Sequence, residues 1–291
     1  MTIRPARTPV PAPALILGAV ASVQFGAAFA DQLFDRAGPA GVVLLRLLLS
    51  AALLSVLVRP SLRGRSRRDL VWAVVFGLIL GGMNWTFYEA LSRLPLGVAV
   101  TVEFVGPLAV AMIGSRRMLD VVWAACAAAG VGLLAANAFG GSLSSLGLLL
   151  AALAGACWAG YIFASKRVGA AFAGLDGLSI ALCVAALLVL PAGIAQGGHA
   201  LVTPLVLGGG LAVALMSSLI PYSLEITALR TLSAQSFGLL MSLEPAAAAL
   251  AGIIVLGQRL SLRTIIAITL VVVASAGTTL ASPKPTIEPT A

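Results

Sequence analysis

Charge is what this sequence has least of. Asp, Glu, Lys and Arg make up only 10% of its 291 residues, against 60% apolar residues. A soluble domain carries about 25% charged residues, so this chain cannot cover a water-facing surface and most of its exterior must face lipid. Histidine is nearly missing as well. The single His199 sits in a Gly-rich gap, and one histidine builds neither a metal site nor a catalytic triad. The three cysteines, Cys126, Cys157 and Cys183, lie inside apolar runs without metal-ligand spacing, and packing is their expected role. The sequence contains no phosphate-cradling loop, paired catalytic carboxylate motif or His/Cys cluster. Neither metal nor cofactor is therefore expected, and ATP is not a direct energy source unless a partner subunit hydrolyses it.

What charge there is leans positive, with 18 Lys and Arg against 10 Asp and Glu, a net +8. These residues occupy short gaps between apolar runs, so they read as topology signals and contacts to anionic lipid, with no nucleic acid as partner. A helix needs about 20 mostly apolar residues to cross the hydrocarbon core. That window predicts ten spans: 14–33, 39–58, 70–90, 94–114, 119–138, 145–165, 175–195, 204–226, 233–256 and 262–281. Runs such as VVLLRLLLSAALLSVLV do not alternate, which excludes transmembrane strands. Arg4 and Arg7 before an apolar stretch, with Ala28-Phe29-Ala30 after it, imitate a signal peptide. Because nine more apolar segments follow, the first is expected to be retained. Residues 1–13 and 282–291 read as disordered tails. With both tails cytoplasmic, the inner gaps collect most of the basic residues, including Arg63, Arg65, Arg67 and Arg68, while the outer gaps hold only Arg36, Arg93, Arg259 and Arg263.

The sequence repeats itself. Gly26, Phe29, Ala30 and Leu48 meet Gly160, Phe163, Ala164 and Leu182 at one constant offset; Ala90-Leu91, Pro107 and Gly252's partner Gly114 meet Ala228-Leu229, Pro245 and Gly252 at another. Each half, 14–138 and 145–281, holds five spans, an odd number, so the halves enter the membrane with opposite polarity. The expected fold is an all-α polytopic membrane protein of ten transmembrane helices in two inverted five-helix repeats, an arrangement found in secondary transporters with the substrate site near the midplane.

Ionisable groups inside spans mark functional candidates. Glu103 lies near the middle of the fourth span. Pro107, four residues on, has no N–H to offer the carbonyl of residue 103, so a carboxyl group and a freed carbonyl meet at mid-membrane depth, a candidate cation, ammonium or proton site. Gly106 removes bulk beside it. The repeat mate of Pro107 is Pro245, preceded by Glu244, the second candidate; the mate of Glu103 itself is Met241. Asn84 and Tyr88 share one face of the third span, with Trp85 and Glu89 on the next. Their counterparts in the eighth span are Pro221, Tyr222, Ser223 and Glu225. Gln24 and Trp158 are repeat mates, and Tyr161 follows on the same span. Together these residues suit a central cavity for a small polar solute. The alternative for Trp85, Tyr88 and Glu89 is an interfacial belt, and Glu225 has the alternative of pairing with Arg230. Arg46, inside the second span, has three readings: a substrate carboxylate, a glutamate partner, or snorkelling. Gly77-xxx-Gly81 is a packing motif.

The stretches RLPLGVAVTVEFVGPLAVAM and IPYSLEITALRTLSAQSFGLLMSLEPAAAALAG resemble the EamA-type drug/metabolite transporter superfamily, and the resemblance runs from about residue 14 to 281. It implies ten helices in two inverted repeats, a bacterial inner-membrane location, and efflux of small amino acids such as threonine and homoserine, driven by the proton gradient. It carries over Glu103, Gly106, Pro107, Glu244 and Pro245 as positions. The implied partners are the amino acid, protons and membrane lipids, with a homodimer left open. Competing readings are export of other metabolites or cationic drugs, a membrane-embedded lipid enzyme, and a non-transporting scaffold.

Overall fold

A computed structural model describes residues 11–61, 64–112, 118–139, 143–172, 174–229, 232 and 234–281. Among them every regular element is helical and no strand occurs. That follows from the solvent: a backbone in hydrocarbon must satisfy its own polar groups. The expectations for the two terminal tails fall largely outside the described residues.

The first half runs α1 (Ala12–Asp31), α2 (Phe34–Val58), α3 (Arg67–Leu91), α4 (Leu96–Glu103), α5 (Val105–Met112) and α6 (Met118–Phe139). The second runs α7 (Ser145–Ala171), α8 (Asp176–Gly197) with a 3-10 turn over Gly198–Val202, α9 (Pro204–Ala214), a π-turn over Leu215–Leu219, α10 (Ile220–Leu229), α11 (Ala234–Met241), α12 (Glu244–Leu256) and α13 (Leu262–Ala281). Local chemistry sets several ends. Ser66 and Asp69 close a capping box on α3, and the Ser144 hydroxyl accepts the Gly147 N–H at the start of α7. Gly257, with φ of 62°, ends α12. Gly38, with φ of 66°, sets a bend ahead of Pro39 inside α2, which is where the apolar window of the second span begins.

Among the described residues, seven helices are long and apolar enough to cross a membrane, and three shorter apolar stretches, Leu96–Val110, Val121–Leu134 and Pro204–Leu219, accompany them. The protein is thus multi-pass. Among the described residues, three of the ten expected windows are discontinuous. The fourth is broken at Phe104, the eighth at the π-turn, and the ninth at Ser242–Leu243. Each break ends two or three residues before a proline: Pro107, Pro221 or Pro245.

α2 packs on α8, α3 on α7 and α8, and α6 on α13. α1 packs on α10 and α12, while α7 packs on α3, α4 and α5. Small residues bring these rods close. A Cβ on Gly77 would stand 2.5 Å from that of Val184, and one on Gly81 would sit 3.0 Å from the backbone of Ala185, so the Gly-xxx-Gly face serves the α3–α8 contact. At the end of the bundle where α3 and α8 finish, three glutamines join the halves. Gln196 accepts the Ala40 N–H (2.9 Å) and donates to Glu89 Oε1 (3.0 Å). Gln258 Oε1 accepts the Leu96 N–H (3.0 Å), and Gln32 Nε2 donates to the Val255 carbonyl (3.4 Å).

Candidate functional site

The three broken helices meet around one cavity of about 460 Å³. A proline inside a helix leaves the carbonyl four residues earlier without its N–H partner. Pro107, Pro221 and Pro245 release the carbonyls of Glu103, Ser217 and Met241, and all three of those residues line the cavity. At the first break the helix rejoins through Phe104, whose N–H donates to the Val100 carbonyl (2.9 Å) and whose carbonyl accepts the Leu108 N–H (3.2 Å). The break is braced by α7. A Cβ on Gly106 would run into the Gly155 carbonyl oxygen, and one on Gly155 would stand 2.6 Å from the Glu103 carbonyl oxygen.

Gln24, Arg46, Asn84, Glu103, Pro107, Trp158, Tyr161 and Glu244 all contribute to the cavity wall. Asn84 Nδ2 donates to the Leu80 carbonyl one turn back (2.8 Å). Trp158 stands edge-on to Phe104, centroids 5.6 Å apart, fixing one side of the chamber. Glu103 and Glu244 are both buried, at 8% and 5% exposure, and they interact electrostatically with each other; Glu103 also feels Arg46, and Glu244 feels Glu225. Among the described residues, charge in the wall therefore comes from three glutamates and one arginine.

Two of the residues singled out in the sequence stand elsewhere. Trp85 and Tyr88 are outside the wall. Tyr88 is fully buried behind Arg46, and Trp85 packs on the core with its indole N–H unpartnered among the described residues. Tyr222 and Ser223 belong to α10, but their side chains lie outside the described residues. Glu89 is also outside the wall, in an ion pair with Arg93 (2.7 Å). Arg46 neither snorkels nor pairs within ion-pair distance of a glutamate among the described residues. It donates from Nη1 to Tyr88 Oη (3.1 Å) and from Nη2 to the freed Ser217 carbonyl (3.2 Å).

Sequence reasoning passed over Phe104, Ser217, Met241, Ser275 and Thr279, yet each lines the cavity, as does Glu225, for which a cavity place and a pair with Arg230 were both open. Two signals were available. The proline rule used on Pro107 points to Ser217 when applied to Pro221. Ser275 and Thr279 stand four apart on one face of an apolar helix. Toward the end where α10 stops and α11 starts, the wall is made of Phe237, Gly238, Ser275 and Thr279.

A chamber of this size fits a small molecule, and its groups suit a zwitterion: carboxyls and freed carbonyls for an ammonium, a guanidinium for a carboxylate. Residues 145–280 match the EamA-like transporter family. The chain is 41% identical to the "Threonine/homoserine exporter RhtA" of Salmonella typhimurium over 94% of its own length and 93% of the relative's. With the Escherichia coli K12 protein of the same name, identity is 42% over 91% and 90%. A solved structure described only as "Crystal structure of protein" superposes with a TM-score of 0.62 at 22% identity, covering 93% of this chain and 98% of that one. The named relatives are transporters, not enzymes, and the chain belongs to the EamA-like transporter family.

Proposed function

We propose that the protein exports small amino acids of the threonine and homoserine type from the cytoplasm by proton antiport with alternating access. The observation that carries this reading is the cavity itself, which gathers Glu103, Glu244 and Arg46 at three proline breaks. Discontinuous helices of this kind present ions and substrates with partially unpaired backbone groups at mid-membrane. The printed names of the RhtA relatives support the substrate class. Glu103 is the proton carrier in this scheme, with Glu244 its partner, because both carboxyls are buried and line the same cavity beside helix breaks.

Architecture follows the same proposal: ten crossings in two inverted halves, 14–138 and 145–281, with both termini cytoplasmic in a bacterial inner membrane. The packing pairs support it. Exchanging the halves turns the contact of α1 with α10 into that of α7 with α3, and maps α2–α8 and α6–α13 onto themselves. A second reading, export of cationic drugs or other metabolites, draws on the excess of glutamate over arginine in the wall.

Cells overproducing the protein are expected to survive otherwise toxic homoserine or threonine and to release more of it. Unchanged resistance and release would remove the assigned substrates. Counterflow in proteoliposomes with a panel of amino acids and organic cations separates the two readings.

A further inference from the structure

Arg46 is the one cation in the cavity wall among the described residues, and its setting is built. The guanidinium is half-buried on α2, and no carboxylate approaches it within ion-pair distance among the described residues, where the ion pairs are Arg65–Asp176 and Arg93–Glu89. Two neutral acceptors hold it from opposite halves. One is the Tyr88 hydroxyl on α3, with the guanidinium carbon 5.6 Å from the ring centroid. The other is the Ser217 carbonyl in the π-turn, four residues before Pro221, which has no N–H to give it. Tyr88 is itself clamped, with the rings of Phe34 and Phe87 at 5.8 and 6.1 Å. It does not reach the cavity.

A guanidinium has five N–H donors and a flat fork that matches a carboxylate in two-point contact. Spending two donors on neutral acceptors fixes the fork in place without neutralising it. Had Glu103 been its direct partner, the charge would have been spent inside the protein. We infer that Arg46 is the anchor for the carboxylate of a zwitterionic substrate, and that Tyr88 is a positioning residue that acts through Arg46, with the Ser217 carbonyl as the second point of attachment. The inference rests on the amino-acid reading proposed above and deepens it. It also gives the π-turn a purpose, since it turns the freed carbonyl of one half toward the arginine of the other.

The test uses the full protein in proteoliposomes and two probes that differ at one group, threonine and threoninamide, which lacks the carboxylate. Tyr88→Phe removes the hydroxyl and keeps the ring. It is expected to raise KM for threonine about tenfold with the maximal rate unchanged, as for loss of one charge-assisted hydrogen bond, and to leave threoninamide where it was. Pro221→Ala returns an N–H that competes for the Ser217 carbonyl, and the same selective rise is expected. Arg46→Gln should erase the preference for threonine over threoninamide. Equal binding of the two probes by the wild type, or equal losses for both in Tyr88→Phe, overturns the inference: the tyrosine is then only packing. Failure of the wild type to exchange any amino acid is a different result, and removes the amino-acid reading along with the inference.

Discussion

Replacing Glu103 by glutamine keeps the side chain's shape and removes its exchangeable proton. The variant is therefore expected to insert normally and still exchange substrate for substrate, while losing efflux driven by a pH gradient. Measuring counterflow and gradient-driven efflux on the same vesicles checks this; gradient-driven transport at the wild-type rate across the pH range ends the coupling role. Glu244→Gln is expected to weaken coupling less, because Glu103 can still carry the proton. These two carboxyls were legible in the sequence because a charge stands out among apolar neighbours. Tyr88 was visible too, but its role was not: one helix face does not reveal whether a phenol meets a solute or the back of an arginine from α2. Ser217 and Met241 were the least legible, since what they offer is a backbone carbonyl, and that is announced by a proline four residues later rather than by the residue itself.

Elements in this bundle approach as closely as their glycines allow. Gly106 and Gly155 bring α5 and α7 into backbone contact at the first break, so Gly106→Val or Gly155→Val is expected to cost about 1–3 kcal/mol or more, as overpacking does. Gly132 has open space where a Cβ would go, and Gly132→Ala should be neutral or stabilise α6 by up to about 1 kcal/mol. Thermal unfolding in detergent distinguishes the two cases, and equal shifts for both positions would show that the close approach is not what the glycines provide. The ten apolar windows were readable because hydropathy is a local property. The breaks were only half readable: prolines mark them, but a proline tolerated within a helix, such as Pro191 inside α8, looks the same in sequence. Which of the two occurs depends on whether a neighbouring rod fills the gap.

At the scale of the whole molecule, the contacts that join the halves were the least readable part. Gln258 and Leu96 are 162 residues apart, Gln32 and Val255 223, and no local pattern links them. Removing three of these bonds with Gln196→Ala and Gln258→Ala should loosen that end of the bundle first. The Ala40 and Leu96 amides are expected to exchange hydrogen with solvent about tenfold faster or more, while amides in the middle of α6 stay as they were. Uniform acceleration would mean global destabilisation instead. In the proposed orientation these bonds seal the external face, and their chemistry has an electrical consequence. Three of the four partners that the glutamines hold are backbone amides or carbonyls, and the fourth, Glu89, is neutralised by Arg93. Opening such a seal moves no net charge through the transmembrane field, which otherwise contributes about 2.3 kcal/mol per elementary charge per 100 mV. Membrane voltage would then act on the exporter only through the protons and substrate held in its interior, leaving the opening of its outer face electrically silent.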